Sequence, residues 1–243
     1  MQVRKCERYT ISIRRDCYYF KKKGIIVLHA IILDFDGVIL ESVSVKTEAF
    51  RTLFSFVPEY VDEIVQFHID NGGMSRFDKF RHIYNTILHE DLSEHKFEKL
   101  SRRFSDLVEE AVVQAQFVDG ALDFLDSMSK RYRLYIVSAT PQEELERIVN
   151  QKGISRYFSG VFGSPAKKID HIIRILTENN LSPEDVLYVG DAVNDWEAAR
   201  KSGIRFIGRI KPGDPNRFEN LPFIENTISH LYELTEYLEG KKC

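Results

Sequence analysis

Two aspartates one residue apart, Asp34 and Asp36, close an apolar run and are followed at once by Gly37. Carboxylates at the end of a buried run are costly unless they find partners. Three other stretches offer them. Ser138-Ala139-Thr140 ends a second apolar run, and a hydroxyl there can hydrogen-bond an anionic oxygen, although strand ends carry Ser and Thr often. Lys167-Lys168 follows "GSPA" and opens a helix-like segment. A lysine there opposes the helix dipole, so a specific anion is one explanation and a solvated pair the other. In "YVGDAVND", Asp191 ends a run and Asp195 follows four residues later, in the first turn of the next helix. Capping accounts for Asp195 but poorly for Asp191.

Ligands of a parallel α/β sheet bind at the carboxyl ends of its strands. All four stretches sit at such an end or at a helix start, so they can converge on one edge. The two-residue period of a strand puts Asp34 and Asp36 on one side, and Gly37 permits an abrupt turn. Carboxylates gathered there would repel unless a hard divalent cation joined them. An all-oxygen set suits Mg²⁺, which binds through one or two carboxylates together with phosphate.

The elements that must position these groups form a rhythm. Apolar runs at 30–35, 133–139, 160–164, 185–191 and 204–208 alternate with helical patterns. Their nearly continuous apolar character predicts strands covered on both faces. Ile169, Ile172, Ile173 and Leu176 recur at helical spacing, and residues 141–153 carry Pro141 near the start and Gly153 past the end. The alternation predicts an α/β fold with a doubly wound, mostly parallel sheet. One interval breaks the rhythm. Residues 43–115 contain no strand-like run but several amphipathic helical segments, an expected all-helical cap inserted in a core of residues 24–42 and 116–243. Within it, Phe77, Phe80, Ile83, Tyr84 and Ile87 form the expected buried stripe, leaving Arg76 and Lys79 on a wet face. Arg76 is the best candidate there for a substrate's second anionic group or a sugar hydroxyl. Gly72 and Gly73 read as a helix C-cap.

Composition narrows the class. With 43% hydrophobic residues, 17 Phe and 11 Tyr, the 243-residue chain can pack a core. Its net charge of −3 points to no special partner. Residues 1–23 are basic, but no helical face or repeat organises them, so they read as an extension and not as a nucleic-acid or lipid surface. Cys6, Cys17 and Cys243 lack metal-ligand spacing, which fits a reduced, cytoplasmic setting. The apolar run after Lys23 is too short to span a bilayer and ends in Asp34, so it reads as a buried strand and no membrane insertion is expected. A monomer or weak homodimer is expected.

Taken in order, "DFDGV", Ser138, the lysine after "GSP" and "GDAVND" resemble the four motifs of the haloacid dehalogenase-like hydrolase superfamily, over roughly residues 29–240. The cap position resembles that superfamily's first cap class, the phosphoglycolate phosphatase-like and β-phosphoglucomutase-like branch. The resemblance implies a Rossmann-like core and a Mg²⁺-dependent phosphatase. Its substrate would be a small phosphorylated metabolite, phosphoglycolate or a sugar phosphate, attacked through an aspartyl-phosphate. Asp34 would be the nucleophile. Asp36 would be general acid then base, its carboxyl raised by crowding. Gly37, Ser138 and Ala139 would surround the substrate. Lys168, third after the proline, would pair with Asp34 in preference to Lys167. The metal set would be Asp34, Asp36 through its backbone carbonyl, Asp191, and Asp195 as ligand or support. Asp36 argues against a dehalogenating member. A phosphonate-cleaving member needs a Schiff-base lysine in the cap, and neither Lys46 nor Lys79 sits in a context that demands that role. The rival readings are a sugar phosphomutase on the same fold and a catalytically silent binding or regulatory protein.

Overall fold

The computed structural model describes residues 28–240, so the basic extension and the three cysteines lie outside the described residues. After β1 (Ala30–Leu33) the chain leaves the sheet for four helices, α1 (Val43–Leu53), α2 (Val61–Asp70), α3 (Arg76–His82) and α4 (Glu94–Gln114). It then continues through α5 (Ala121–Met128), β2 (Arg133–Pro141), α6 (Gln142–Gln151), β3 (Gly160–Ser164), α7 (Lys168–Glu178), β4 (Val186–Gly190), α8 (Val193–Ser202), β5 (Arg205–Arg209), β6 (Asn226–Ile228) and α9 (Leu231–Leu238). The six strands form one sheet in the order β3-β2-β1-β4-β5-β6, with every neighbouring pair parallel. The five expected strands are present. The sixth is a three-residue edge strand whose Asn226 and Thr227 gave no apolar signal.

Alternation along the central strands feeds two cores. Ile31, Leu33, Leu187 and Val189 face one, closed by Leu125 of α5, Leu145 of α6 and Leu234 of α9. Ala30, Ile32, Val186 and Tyr188 face the other, closed by Ile172 of α7 and Trp196 of α8. Strands covered on both sides need no polar face, which explains the unbroken apolar runs.

The inserted helices pack around an aromatic cluster. Phe50 of α1 meets Phe104 of α4 edge-on at 4.8 Å between centroids, and Phe54 and Phe80 complete it. Ser75 caps α3 by accepting the Asp78 N–H at 3.2 Å, and Ser93 caps α4 through the Lys96 N–H at 3.4 Å. The expected wet face of α3 is not wet. Arg76 and Lys79 are buried beside Phe80, whereas Phe77 is only half-buried. Stepping back from Ile83 and Ile87 by helical spacing leads to Phe80 and then to 76 and 79, so the stripe points at these two cations. A π-helical turn over Ile83–Ile87 then shifts the register of the following residues.

Candidate active site

The strand order reverses at β1, whose neighbours are β2 and β4. A doubly wound sheet leaves its ligand crevice at such a reversal. Leu33 of β1 stands opposite Val189 of β4, and the Asp34 N–H donates to the Val189 carbonyl at 2.9 Å. Asp34 and Asp191 therefore leave adjacent strands side by side. Asp195 joins them from the first turn of α8. One carboxylate oxygen from each of Asp34, Asp191 and Asp195 lies within 4.8 Å of the others. Lys168 Nζ donates to Asp34 Oδ2 at 2.9 Å and to Asp195 Oδ1 at 2.5 Å, whereas Lys167 is exposed. Asp195 is the helix cap weighed for it and also bonds within the cluster. Its Oδ2 accepts the Ala192 N–H at 3.0 Å as a helix cap, while its Oδ1 takes Lys168 and, at 2.9 Å, the Tyr188 hydroxyl.

The charges are unbalanced. Burial, then the neighbouring Asp195, holds the Asp34 carboxyl well above the usual range, against the opposing pull of Lys168. Asp191 is pushed up to about 7, first by burial and next by Asp195. Burial works against the Lys168 ammonium, but Asp195 and Asp34 outweigh it and keep it charged. Asp195 spends its oxygens on Lys168, Tyr188 and Ala192. Asp191 receives no hydrogen bond among the described residues, and Asp34 has room beyond Lys168 and the Phe35 N–H at 2.7 Å. A cluster of hard oxygens with surplus negative charge fits a divalent cation such as Mg²⁺.

Asp36 departs from expectation in two ways. Its side chain does not join the acidic trio, because β1 ends at Leu33 and the two-residue alternation stops there. Its carboxylate instead accepts Lys46 Nζ at 2.5 Å, Ser42 Oγ at 2.6 Å and Thr140 Oγ1 at 3.0 Å. Burial pushes its carboxyl up, but Lys46, Ser42 and Thr140 together bring it below the usual range, not above it. Gly37 makes the turn with φ +76°, and a β-carbon there would stand 2.3 Å from Asp191 Oδ2. Buried Arg209, at the end of β5, steadies this turn: Nη1 donates to the Gly37 carbonyl at 3.2 Å and Nε to the Ser229 carbonyl at 3.0 Å, beside its pair with Glu41.

A cavity of about 180 Å³ lies between the sheet edge and the inserted helices. Asp34, Asp36, Asp191, Ala139 and Thr140 line one side, and Lys46, Phe50 and Lys79 the other. Ser138 does not line it; its buried Oγ accepts the Thr140 N–H at 3.1 Å. The chain crosses closely at Gly73, where a β-carbon would sit 3.1 Å from Ala192 and 3.5 Å from Lys168 Nζ. Arg76 lines the cavity, but its fork is already engaged. Nη1 and Nη2 donate to Glu144 of α6 at 2.9 and 2.6 Å, and Nη1 also reaches Ser105 Oγ at 2.8 Å. The expectation of Arg76 as a free cation for substrate is replaced by a tie between the insert and the sheet layer.

Sequence reasoning weighed Lys79 beside Arg76 but placed both on a wet face, named Lys46 and Thr140 without giving them these partners, and passed over Tyr188, His68 and Arg209. A tyrosine within "VLYVG" is a signal that was available, since a buried phenol needs a partner. Arg209 gave none, because Gly37 and Glu41 lie far away in the chain, and Lys46 gave none because its pairing with Asp36, ten residues earlier, runs across a turn that no periodicity describes.

The model of the haloacid dehalogenase-like hydrolase family matches residues 31–209. A phosphoglycolate phosphatase of Pseudomonas aeruginosa is 24% identical over 184 residues, covering 72% of this chain and 66% of that protein. One from Vibrio parahaemolyticus is 25% identical over 217 residues, covering 84% and 94%. The fold is similar to that of a β-phosphoglucomutase from Clostridium difficile, with a TM-score of 0.70 at 18% identity over 88% of this chain and 97% of that one. No helix among the described residues is long and apolar enough to cross a membrane.

Proposed function

This chain belongs to the haloacid dehalogenase-like hydrolases, an enzyme of the phosphatase kind, and from that premise we propose that it is a Mg²⁺-dependent phosphatase of small phosphomonoesters, of the phosphoglycolate or sugar phosphate class, working through Asp34. One observation carries the reading: Asp34, Asp191, Asp195 and Lys168, distant in the chain, meet at the strand-order reversal. Residues 43–115 act as the cap, and the rest of the described chain as the catalytic core.

Asp34 attacks phosphorus, the ester P–O bond breaks, and the phosphoryl group rests on Asp34 as an acyl phosphate. Water then attacks that phosphorus and the bond to Asp34 breaks, leaving inorganic phosphate. Asp36 gives a proton to the leaving oxygen and regains one from the water, so no proton is lost over the cycle. Its lowered carboxyl suits the second half. In the first half it must hold a proton against the pull of Lys46. Lys168 neutralises charge on Asp34 and is held in place by Asp195, whose Oδ1 also accepts the Tyr188 hydroxyl. Asp34 and Asp191 would hold Mg²⁺, which when bound supplies electrophilic stabilisation of the phosphoryl oxygens. Ala139 and Thr140 line the phosphoryl end of the cavity, while Gly37 and Ser138, which do not line it, support it from behind through the turn beside Asp191 and the bond to the Thr140 N–H.

A panel of phosphomonoesters, assayed with Mg²⁺ and with excess chelator, tests this. Metal-dependent release of inorganic phosphate without formation of an isomer is the expected result. Isomer formation would make it a mutase, full rate in chelator would remove the metal, and no turnover of any substrate would leave a binding protein.

A further inference from the structure

The cations of the cavity wall are not equivalent. Lys46 is paired with Asp36, Arg76 with Glu144, and Arg217 stands 3.6 Å from Asp214 near solvent. Lys79 is 3% exposed and has no carboxylate within ion-pair distance among the described residues. Its Nζ reaches His68 Nδ1 at 3.0 Å and the His68 carbonyl at 3.1 Å, both uncharged acceptors. An ammonium has three N–H groups, so one remains for the cavity that Lys79 lines. Burying such a cation without a counter-ion is unfavourable unless an anion arrives to complete it.

We propose that Lys79 is the specificity-determining residue of this site and that the preferred phosphomonoester carries a carboxylate at the end remote from its phosphate. The inference rests on the phosphatase reading above and deepens it. A single ammonium matches a singly charged carboxylate; a second phosphate calls for the forked or multiple donors that Arg76, already occupied by Glu144, does not offer. The space agrees. A cavity of about 180 Å³ admits a phosphorylated hydroxy acid of a few carbons. Phe50 and Phe104 keep the wall apolar, so an ion pair formed against it is screened little by water. His68 positions the amine: its ring packs against Phe50 at 4.1 Å between centroids, tilted by 32°, while its Nδ1 accepts from Lys79.

The test compares matched substrates on the whole protein with Mg²⁺: 2-phosphoglycolate against 2-hydroxyethyl phosphate, and 3-phosphoglycerate against glycerol phosphate. The carboxylated member is expected to show a kcat/KM about 10- to 100-fold higher, the range of one hydrogen bond to a charged group. In Lys79→Met that preference is expected to collapse toward unity, mostly through KM. A purely structural lysine would slow both members in parallel and keep their ratio, overturning the proposal. Titration calorimetry with phosphonoacetate and with propylphosphonate, which need no turnover, separates the two claims. A binding preference for phosphonoacetate that Lys79→Met abolishes upholds Lys79 even if no ester is hydrolysed and the phosphatase reading falls. Equal binding of the two by the wild-type protein defeats it.

Discussion

At the scale of residues, the site is a set of charges each made affordable by a named neighbour. Lys168 serves Asp34 and Asp195, Lys46 serves Asp36, and Glu144 serves Arg76. Lys79 and Asp191 are the exceptions, and the titration of Lys79 gives a prediction. Burial first, then the cations Lys46 and Lys168, bring its amine down to about 7, with Asp191 and Asp36 pulling the other way. His68 is itself pushed down to about 2, by burial and by Lys79, and stays neutral. The ammonium is therefore present below about pH 7 and lost above it. The ratio of kcat/KM for 2-phosphoglycolate over 2-hydroxyethyl phosphate is expected to be highest below pH 7 and to fall as pH rises through it. Taking the ratio cancels titrations common to both substrates, and kcat/KM reports the free enzyme. A ratio independent of pH from 5 to 9 would contradict it.

At the scale of elements, α3 of the insert and α6 of the sheet layer are joined by Arg76 and Glu144, 4% and 2% exposed at their side chains. Two buried charges satisfy each other, so losing one strands the other. Arg76→Ala is expected to destabilise the fold by about 3–5 kcal/mol, and the double change Arg76→Met, Glu144→Leu to recover most of that. Denaturant unfolding measures both. Equal losses in the single and double variants would show that the pair does not tie these helices. This tie also marks the limit of sequence reading. The five long strands and the helical insert were legible because apolar periodicity is local. Helical spacing on α3 held the clue to the buried positions, but no periodicity names Glu144 as the partner that makes burial of Arg76 tolerable. Asp36 failed for a related reason: the alternation that paired it with Asp34 ends where β1 ends, and its carboxylate is taken up by Lys46, Ser42 and Thr140 instead of joining the acidic trio.

At the scale of the molecule, parallel topology performs the assembly. Placing β1 between β2 and β4 brings the ends of chain segments that are remote in sequence to one crevice, and α7 and α8 each present their first turn to it. That convergence was legible before any geometry, since four motifs at strand ends or helix starts must share an edge in such a sheet. The insert closes over the same edge, contributing Lys46 and Lys79, so core chemistry and substrate choice reside in different layers. The central claim is that this crevice makes Asp34 a nucleophile toward phosphorus. The direct measurement is mass spectrometry of protein quenched in acid during turnover with Mg²⁺ and substrate, followed by peptide mapping. The account predicts one phosphoryl group on the peptide containing Asp34, absent in Asp34→Asn together with turnover. A phosphoryl group on another residue, or normal turnover by Asp34→Asn, would contradict it.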